Sequence, residues 1–246
     1  MTTDKLIPQR DNLHLFGQNI IKKARRIVSP DIICLTAPNG DKLLLKDFRQ
    51  CPLLIRCTWG RLVASREAAA YRKLNGIKGV PKFITQLDPY AFVVEFMDAM
   101  PLPRMRNHER PPLEFFDSLS AAVNEMHARG VAHGDLRRHN ILMNADGSPC
   151  LIDFETSISR KRWFPQAGLF KAVSKIDNIT ILKIKSRYYP EAVSEQDRKI
   201  LADVPWHLKL GRLLRHKIYH PMTEKGMRQR KRRDERRQAR RNATRQ

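Results

Sequence analysis

No stretch of this chain comes near eighteen consecutive apolar residues, which excludes a helix long and apolar enough to span a bilayer. The opening residues, Met1-Thr-Thr-Asp-Lys5, hold no apolar run, so a secretory signal is not expected. Cysteine is scarce. Cys34, Cys51, Cys57 and Cys150 include no Cys-x-x-Cys pair and read as free thiols in a reducing compartment. No internal repeat is visible. Acidic residues are also few: 25 Asp+Glu stand against 47 Lys+Arg, a formal net charge of +22. That balance points to an acidic partner, whether a nucleotide, a nucleic acid or an anionic membrane. What is present is enough apolar material for a core. The hydrophobic fraction of 41% lies well above that of a disordered chain, and 246 residues suit one large domain or two small lobes. The expectation is a basic cytoplasmic protein, with peripheral attachment to the cytoplasmic membrane face left open.

The charge is concentrated at one end. Residues 223–246 carry 11 Lys+Arg against three acids, and Met227 is their one large apolar side chain. Such a segment cannot bury a face, so it is expected to be a disordered or fraying helical tail, with a boundary near Pro221. RNA or an anionic membrane surface would be its natural partners, with each Lys or Arg near a bilayer worth about 1 kcal/mol. His216 and His220 stand at helical i, i+4 spacing, but no third ligand accompanies them, so a zinc site is not expected.

Upstream, two apolar, β-rich runs over 31–47 flank Asn39-Gly40, a dipeptide that accepts the positive φ of a tight hairpin. Residues 60–74 have Ala-rich helical composition, with Leu62, Ala69 and Tyr71 or Leu74 set to line one face, and Gly76, Gly79 and Pro81 end it. Two further strands are expected over 82–97 around Asp88-Pro89. After a proline-rich break at 101–112, Phe115, Phe116, Leu119, Ala122, Val123 and Met126 recur at three and four residues, and Gly130 stops that helix. Ile141-Leu-Met143 and Pro149-Cys-Leu-Ile152 flank Asn144-Ala-Asp-Gly147 as a short hairpin. The remainder to 222 reads as mostly helical.

The chemistry lies around that hairpin. His133-Gly-Asp-Leu-Arg-Arg-His-Asn140 precedes it and Leu151-Ile-Asp-Phe-Glu155 follows it. A hairpin brings its ends together, so Asn140 and Asp153 should lie side by side with Asp135 close by. One carboxylate and one amide oxygen suit Mg²⁺, a hard cation that keeps waters and phosphates in its other positions. A second carboxylate nearby can orient a hydroxyl and take its proton. Positioning and charge neutralisation of this kind are what phosphoryl transfer requires.

These two motifs resemble those of the protein-kinase-like superfamily, His-x-Asp-x-x-x-x-Asn followed by Asp-Phe-Gly or a variant, at the spacing the superfamily has. The resemblance covers roughly residues 25–180 and is specific at the two motifs. It implies an α+β, two-lobed protein-kinase-like fold: an antiparallel-sheet N-lobe over 1–98, a mainly helical, shortened C-lobe over 99–222, and the tail. By position, Asp135 would be the catalytic base, Arg137 a cation near the transferring phosphate, and Asn140 and Asp153 the Mg²⁺ ligands. Lys46 would bind ATP phosphate, with Lys42 as its competitor. Glu67 would pair with Lys46, the alternative being an exposed helix charge. Val94, Glu95 and Met97 fall in the linker whose backbone would hold adenine. Asp177 matches an aspartate that props up the catalytic loop, and His133 would brace that loop by packing.

The departures point to atypical members. Gly134 replaces an arginine and Glu155 replaces a glycine, as in RIO kinases, Kdo and lipopolysaccharide-core sugar kinases, and aminoglycoside and choline kinases. No Ala-Pro-Glu segment is found, and the short C-lobe lacks room for the usual peptide-docking region. The glycine-rich loop expected around 22–31 contains no glycine; Lys22, Lys23, Arg25 or Arg26 would have to substitute by charge. The resemblance implies an ATP- and Mg²⁺-dependent kinase whose acceptor is a protein Ser/Thr or a glycolipid sugar. A pseudokinase, or a nucleic-acid- or membrane-binding scaffold with a kinase-like core, is the alternative.

Overall fold

A computed structural model of the chain describes residues 6–24, 28–103, 110–160 and 166–202. The tail 223–246, the boundary near Pro221, Arg25, Arg26, His216 and His220 lie outside the described residues. The fold is α+β and has the two-lobed kinase-like arrangement. Its first part is an antiparallel sheet of β1 (Gly17–Lys22), β2 (Asp31–Thr36), β3 (Lys42–Asp47), β4 (Phe83–Asp88) and β5 (Ala91–Glu95), in the order β1-β2-β3-β5-β4. The Asn39-Gly40 hairpin joins β2 to β3, with Gly40 at φ 86°. Between β3 and β4 run a short helix α1 (Leu53–Ile55), a π turn (Arg56–Gly60) and helix α2 (Arg61–Leu74).

Alternation along the strands gives the sheet two different faces. Leu43, Leu45 and Val93 face one way, with Leu35, and pack against Leu13 and Phe16 of the N-terminal segment. Arg10 clamps that segment down: its Nη1 lies 2.7 Å from Asp47 Oδ2 and its Nε donates to Asp88 Oδ2 at 2.7 Å. Phe92 and Val94 face the other way, into the main core. Lys46 sits directly opposite Phe92, so it shares that inward face.

The main core is continuous with the second part of the chain. Helix α3 (Leu113–Ala128) buries the six predicted residues, Phe115, Phe116, Leu119, Ala122, Val123 and Met126. Gly130 follows at φ 75°, the left-handed conformation expected past a helix end. Strands β6 (Met100–Pro101), β8 (Ile141–Met143) and β9 (Pro149–Leu151) form a small sheet, and β7 (Val131–Ala132) pairs with β10 (Ile158–Ser159). Helices α4 (Gln166–Tyr188) and α5 (Glu195–Ala202) complete the described fold.

Two elements differ from expectation. Strand β1 carries no buried residue, so its sequence has no alternation to betray it. It forms by pairing along β2, with a bulge between Ile20 and Lys22. In α2 the buried stripe is Val63, Ala64, Glu67, Ala68, Ala70, Tyr71 and Leu74, whereas Leu62 faces solvent.

One contact between the two parts constrains a glycine. Gly79, at φ 82°, accepts a hydrogen bond from Leu151 N at 2.7 Å, and a Cβ there would stand 2.2 Å from Pro149 O. Gly76 has φ 87° but open space around it. Gly76→Ala should therefore cost only the left-handed backbone penalty, about 1 kcal/mol, and Gly79→Ala roughly 3 kcal/mol or more, in urea unfolding.

Candidate active site

The site assembles from three stretches that are remote in sequence. Strand β3 supplies Lys46, helix α2 supplies Glu67, and the loop after β9 supplies Asp153. Lys46 Nζ lies 2.5 Å from Glu67 Oε1 and 3.1 Å from Asp153 Oδ1. Glu67 is buried, so the alternative of an exposed helix charge is set aside, and its Oε1 also accepts from Phe154 N at 3.2 Å. Lys42 is exposed at the start of β3, with its ammonium 5.8 Å from the Phe96 ring centroid, and takes no part in this cluster.

The electrostatics follow from burial and charge. Desolvation opposes the Lys46 ammonium, but Asp153 and Glu67 together hold its pKa well above the ordinary lysine value. Lys46 in turn holds the Asp153 carboxyl below its usual range. Burial pushes Glu67 up to about 7 despite the adjacent ammonium, with the negative charge of Asp153 adding to the effect. Tyr71 is buried beside them, its pKa raised by desolvation, and its hydroxyl accepts from Asp153 N at 3.2 Å. The sequence places this tyrosine only on a helix face; no motif spacing marks it as a support of the acidic loop. Asp153 has φ 70°, the one non-glycine residue with positive φ among the described residues.

The loop 133–140 is held from behind by α4. Asp177, buried, accepts from His133 N at 2.7 Å, Gly134 N at 3.0 Å and His127 Nε2 at 3.0 Å. His133 is fully buried and braces the loop as expected: its Nδ1 accepts from Asp135 N at 3.3 Å, which leaves Nε2 to donate to Ile152 O at 3.0 Å. Gly134 lies at φ 76°, and a Cβ there would stand 3.0 Å from Thr156 O. Glycine in place of arginine thus has a local steric reason.

Asp135 and Asn140 belong to the same loop. Asn140 Nδ2 donates to Asp135 O at 2.9 Å, which turns Oδ1 into the available oxygen donor. Ile152 N donates to Asn140 O at 3.0 Å, so the hairpin sets Asn140 one residue away from Asp153 across the ladder. Arg137 Nη2 pairs with Asp135 Oδ2 at 2.5 Å. Among the described residues no three His, Cys, Asp or Glu side chains gather as a metal cluster. The donor set is instead one carboxylate kept ionised by Lys46 and one oriented amide oxygen, which fits a hard cation completed by phosphate and water.

Other predicted residues stand apart. Glu95 is opposite Leu43, so its side chain is on the face away from Lys46, and its Oε2 accepts from Lys82 N at 3.1 Å. Only its backbone remains for a linker role. Met97 is half-buried in the irregular segment after β5. Lys22, by contrast, gains from the bulge. It pairs with Ile32, which pairs with Lys46, so the three side chains share one face across three strands, about 10 Å from first to last. Its positive charge lowers the pKa of both Asp153 and Glu155. Burial and the charges of Asp153 and Asp135 raise Glu155.

Comparison with known proteins identifies a family. Residues 55–180, just over half of the chain, match the family model of the RIO domain. The chain belongs to the RIO domain family. The matched span opens in α1 and closes three residues beyond Asp177. This RIO domain is also 30% identical over 99 residues to a probable serine/threonine-protein kinase PknB of Lactococcus lactis, covering 36% of this chain and 15% of that one. It is 26% identical over 142 residues to NUAK family SNF1-like kinase 2 of Rattus norvegicus, covering 56% and 21%. It is 32% identical over 112 residues to a probable SapB synthase of Streptomyces coelicolor, covering 37% and 12%. The RIO domain chain thus spans between about an eighth and a fifth of the length of these curated relatives. It is a kinase-like protein. No helix among its described residues is long and apolar enough to cross a membrane.

The Glu67 shift gives a pH test. Its folded pKa of about 7 exceeds the ordinary 4.5, so folding takes up a proton between these values. Stability from this group is therefore present below pH 4.5 and lost as pH rises through 7. The unfolding free energy of wild type relative to Glu67→Gln should fall by roughly 1 kcal/mol per pH unit across that window, read from urea titrations at pH 5, 6 and 7. A flat difference would mean that Glu67 is ionised throughout.

Proposed function

We propose that this RIO domain is an ATP- and Mg²⁺-dependent phosphotransferase whose acceptor is an alcohol, in the first instance a protein Ser or Thr hydroxyl. The observation that carries the reading is the Lys46 ammonium held between Glu67 and Asp153, at 2.5 and 3.1 Å, beside a loop presenting Asp135 and Asn140. In this reading Lys46 binds ATP phosphate and Glu67 holds it in place. Asn140 and Asp153 would hold Mg²⁺, which neutralises phosphate charge when bound.

Asp135 orients the acceptor hydroxyl and receives its proton as the hydroxyl oxygen bonds to the γ-phosphorus and the bond to the bridging oxygen breaks. Arg137 holds the Asp135 carboxylate through its ion pair and offers positive charge at the same mouth. Lys22, on the same sheet face as Lys46, supplies charge where backbone amides of a glycine-rich loop would otherwise cradle phosphate. The backbone of Glu95 and Met97 would line the adenine. A protein acceptor is favoured by the kinases among the relatives. The basic segment 223–246 would dock on RNA or an anionic surface.

The test is incubation of the purified chain with γ-labelled ATP and Mg²⁺ in a cell extract, split into protein and lipid/glycan fractions. Label should appear in protein and fall about 100-fold or more in Asp135→Asn, the size of a lost general base. Lys22→Gln should raise the KM for ATP several-fold while leaving kcat nearly unchanged, as expected for a ground-state phosphate contact. Label in the lipid/glycan fraction would transfer the acceptor to a sugar. No label above the Asp135→Asn blank would leave a nucleotide-binding scaffold.

A further inference from the structure

The segment that leads into α2 has a surface that the phosphotransfer reading does not use. Residues 48–66 contain four arginines and not one Asp or Glu. Within them Leu53 is 66% exposed, Leu54 77%, Leu62 51% and Trp59 36%. Cys57 is exposed too, as are Arg49, Arg61 and Arg66. A Leu-Leu pair at this exposure is costly in water, at about 25 cal/mol for each Å² of apolar surface left wet.

The π turn contributes to this. A continuous α-helix would carry Leu53 to within about 40° of Glu67, on the buried face. The π turn at Arg56–Gly60 winds less per residue and swings Leu53 outward. Behind it, Gly60 fixes the turn on the core: a Cβ there would stand 3.1 Å from Phe48 Cβ. The apolar tip is therefore mounted on a rigid base rather than on a loose loop.

We propose that this tip, Leu53, Leu54, Trp59 and Leu62 with Arg49, Arg61 and Arg66 around it, seats in the surface of an anionic lipid bilayer. Three features select that occupant. Leucine and tryptophan on an apolar tip, rimmed by arginine and free of acids, are the composition of an element that lies in the headgroup boundary. Leu53 and Leu54 project from the first turn of the segment, a shape that inserts rather than receives. The charge is also wrong for the rest of this chain, since residues 203–246 carry fifteen Lys and Arg against four acids. The nearest acids along the chain, Asp47 and Glu67, are already engaged, Asp47 by Arg10 and Arg49 and Glu67 by Lys46. The inference is independent of the phosphotransfer reading and would stand if no label were transferred.

The experiment uses the full chain with vesicles of phosphatidylcholine alone or with about 30% phosphatidylglycerol, at low salt and at about 0.5 M NaCl, where purely electrostatic attachment is screened. Sedimentation should show partition onto the anionic vesicles that persists in part at high salt. Leu53→Ser/Leu54→Ser should lower it at least tenfold at high salt with Tm unchanged, both side chains being exposed. The tryptophan emission should shift to the blue on binding, and the shift should be lost in Trp59→Phe, leaving Trp163 and Trp206 in place. Equal partition of the double variant, or a blue shift that survives Trp59→Phe, would overturn the proposal and assign membrane attachment to the basic residues elsewhere. A change in sedimentation coefficient of the free protein caused by the double variant, without vesicle partition in the wild type, would also overturn it and make a second copy the occupant.

Discussion

The structure turns on one buried ammonium. Lys46 stands between Glu67 and Asp153, which arrive from α2 and from the loop after β9. A lone ammonium or a lone carboxylate at this depth would pay a desolvation cost of several kcal/mol, so each depends on the others for its charge. Glu67 is the weakest partner, because burial favours its neutral form, and it also receives Phe154 N. Removing Lys46 would therefore leave the buried Glu67 facing the half-buried Asp153 with no cation between them. The ion cluster fixes strand, helix and loop together.

The second constraint is Asp177. Its carboxylate takes two backbone amides at the start of the loop and one imidazole, and bonds within the loop itself, such as Asn140 Nδ2 to Asp135 O, complete the rest. The positive φ of Gly134 turns the chain so that both amides reach it. Asp135 and Asn140 then project from a loop pinned at its back, while the hairpin β8–β9 carries Asp153 alongside. Position in space is thus specified by backbone bonds behind the loop, with Asn140 buried and the Asp135 side chain about one-tenth exposed.

Much of this was legible in the sequence, and the reasons differ by element. Helix α3 was readable because six apolar residues repeat at helical spacing and all are buried. The hairpins were readable because Asn-Gly and Asp-Gly mark turns. Lys46, Glu67, Asn140 and Asp153 were readable from motif spacing and come together in space. Strand β1 was not, because an edge strand with six exposed residues has no burial pattern to impose alternation. The face of α2 differs from expectation at Leu62 because composition gives a helix but not its phase. The support from Tyr71 and the row Lys22–Ile32–Lys46 depend on register and a bulge, which local sequence does not encode. Glu95 lay in the expected strand, but parity sends its side chain to the far face.

The place of Asp177 in the chain has a consequence for biosynthesis. The loop it holds is complete at residue 140, yet its brace lies 44 residues beyond His133, in the middle of α4. A chain growing from its N-terminus therefore makes sheet, α2, loop and hairpin before the residue that organises them exists. The Lys46 cluster can close once the hairpin has emerged, but Asp135 gains its setting only when α4 has formed and docked. Folding order runs from the Lys46 cluster to the loop of Asp135, so a nascent chain arrested before Asp177 would carry the first without the brace of the second.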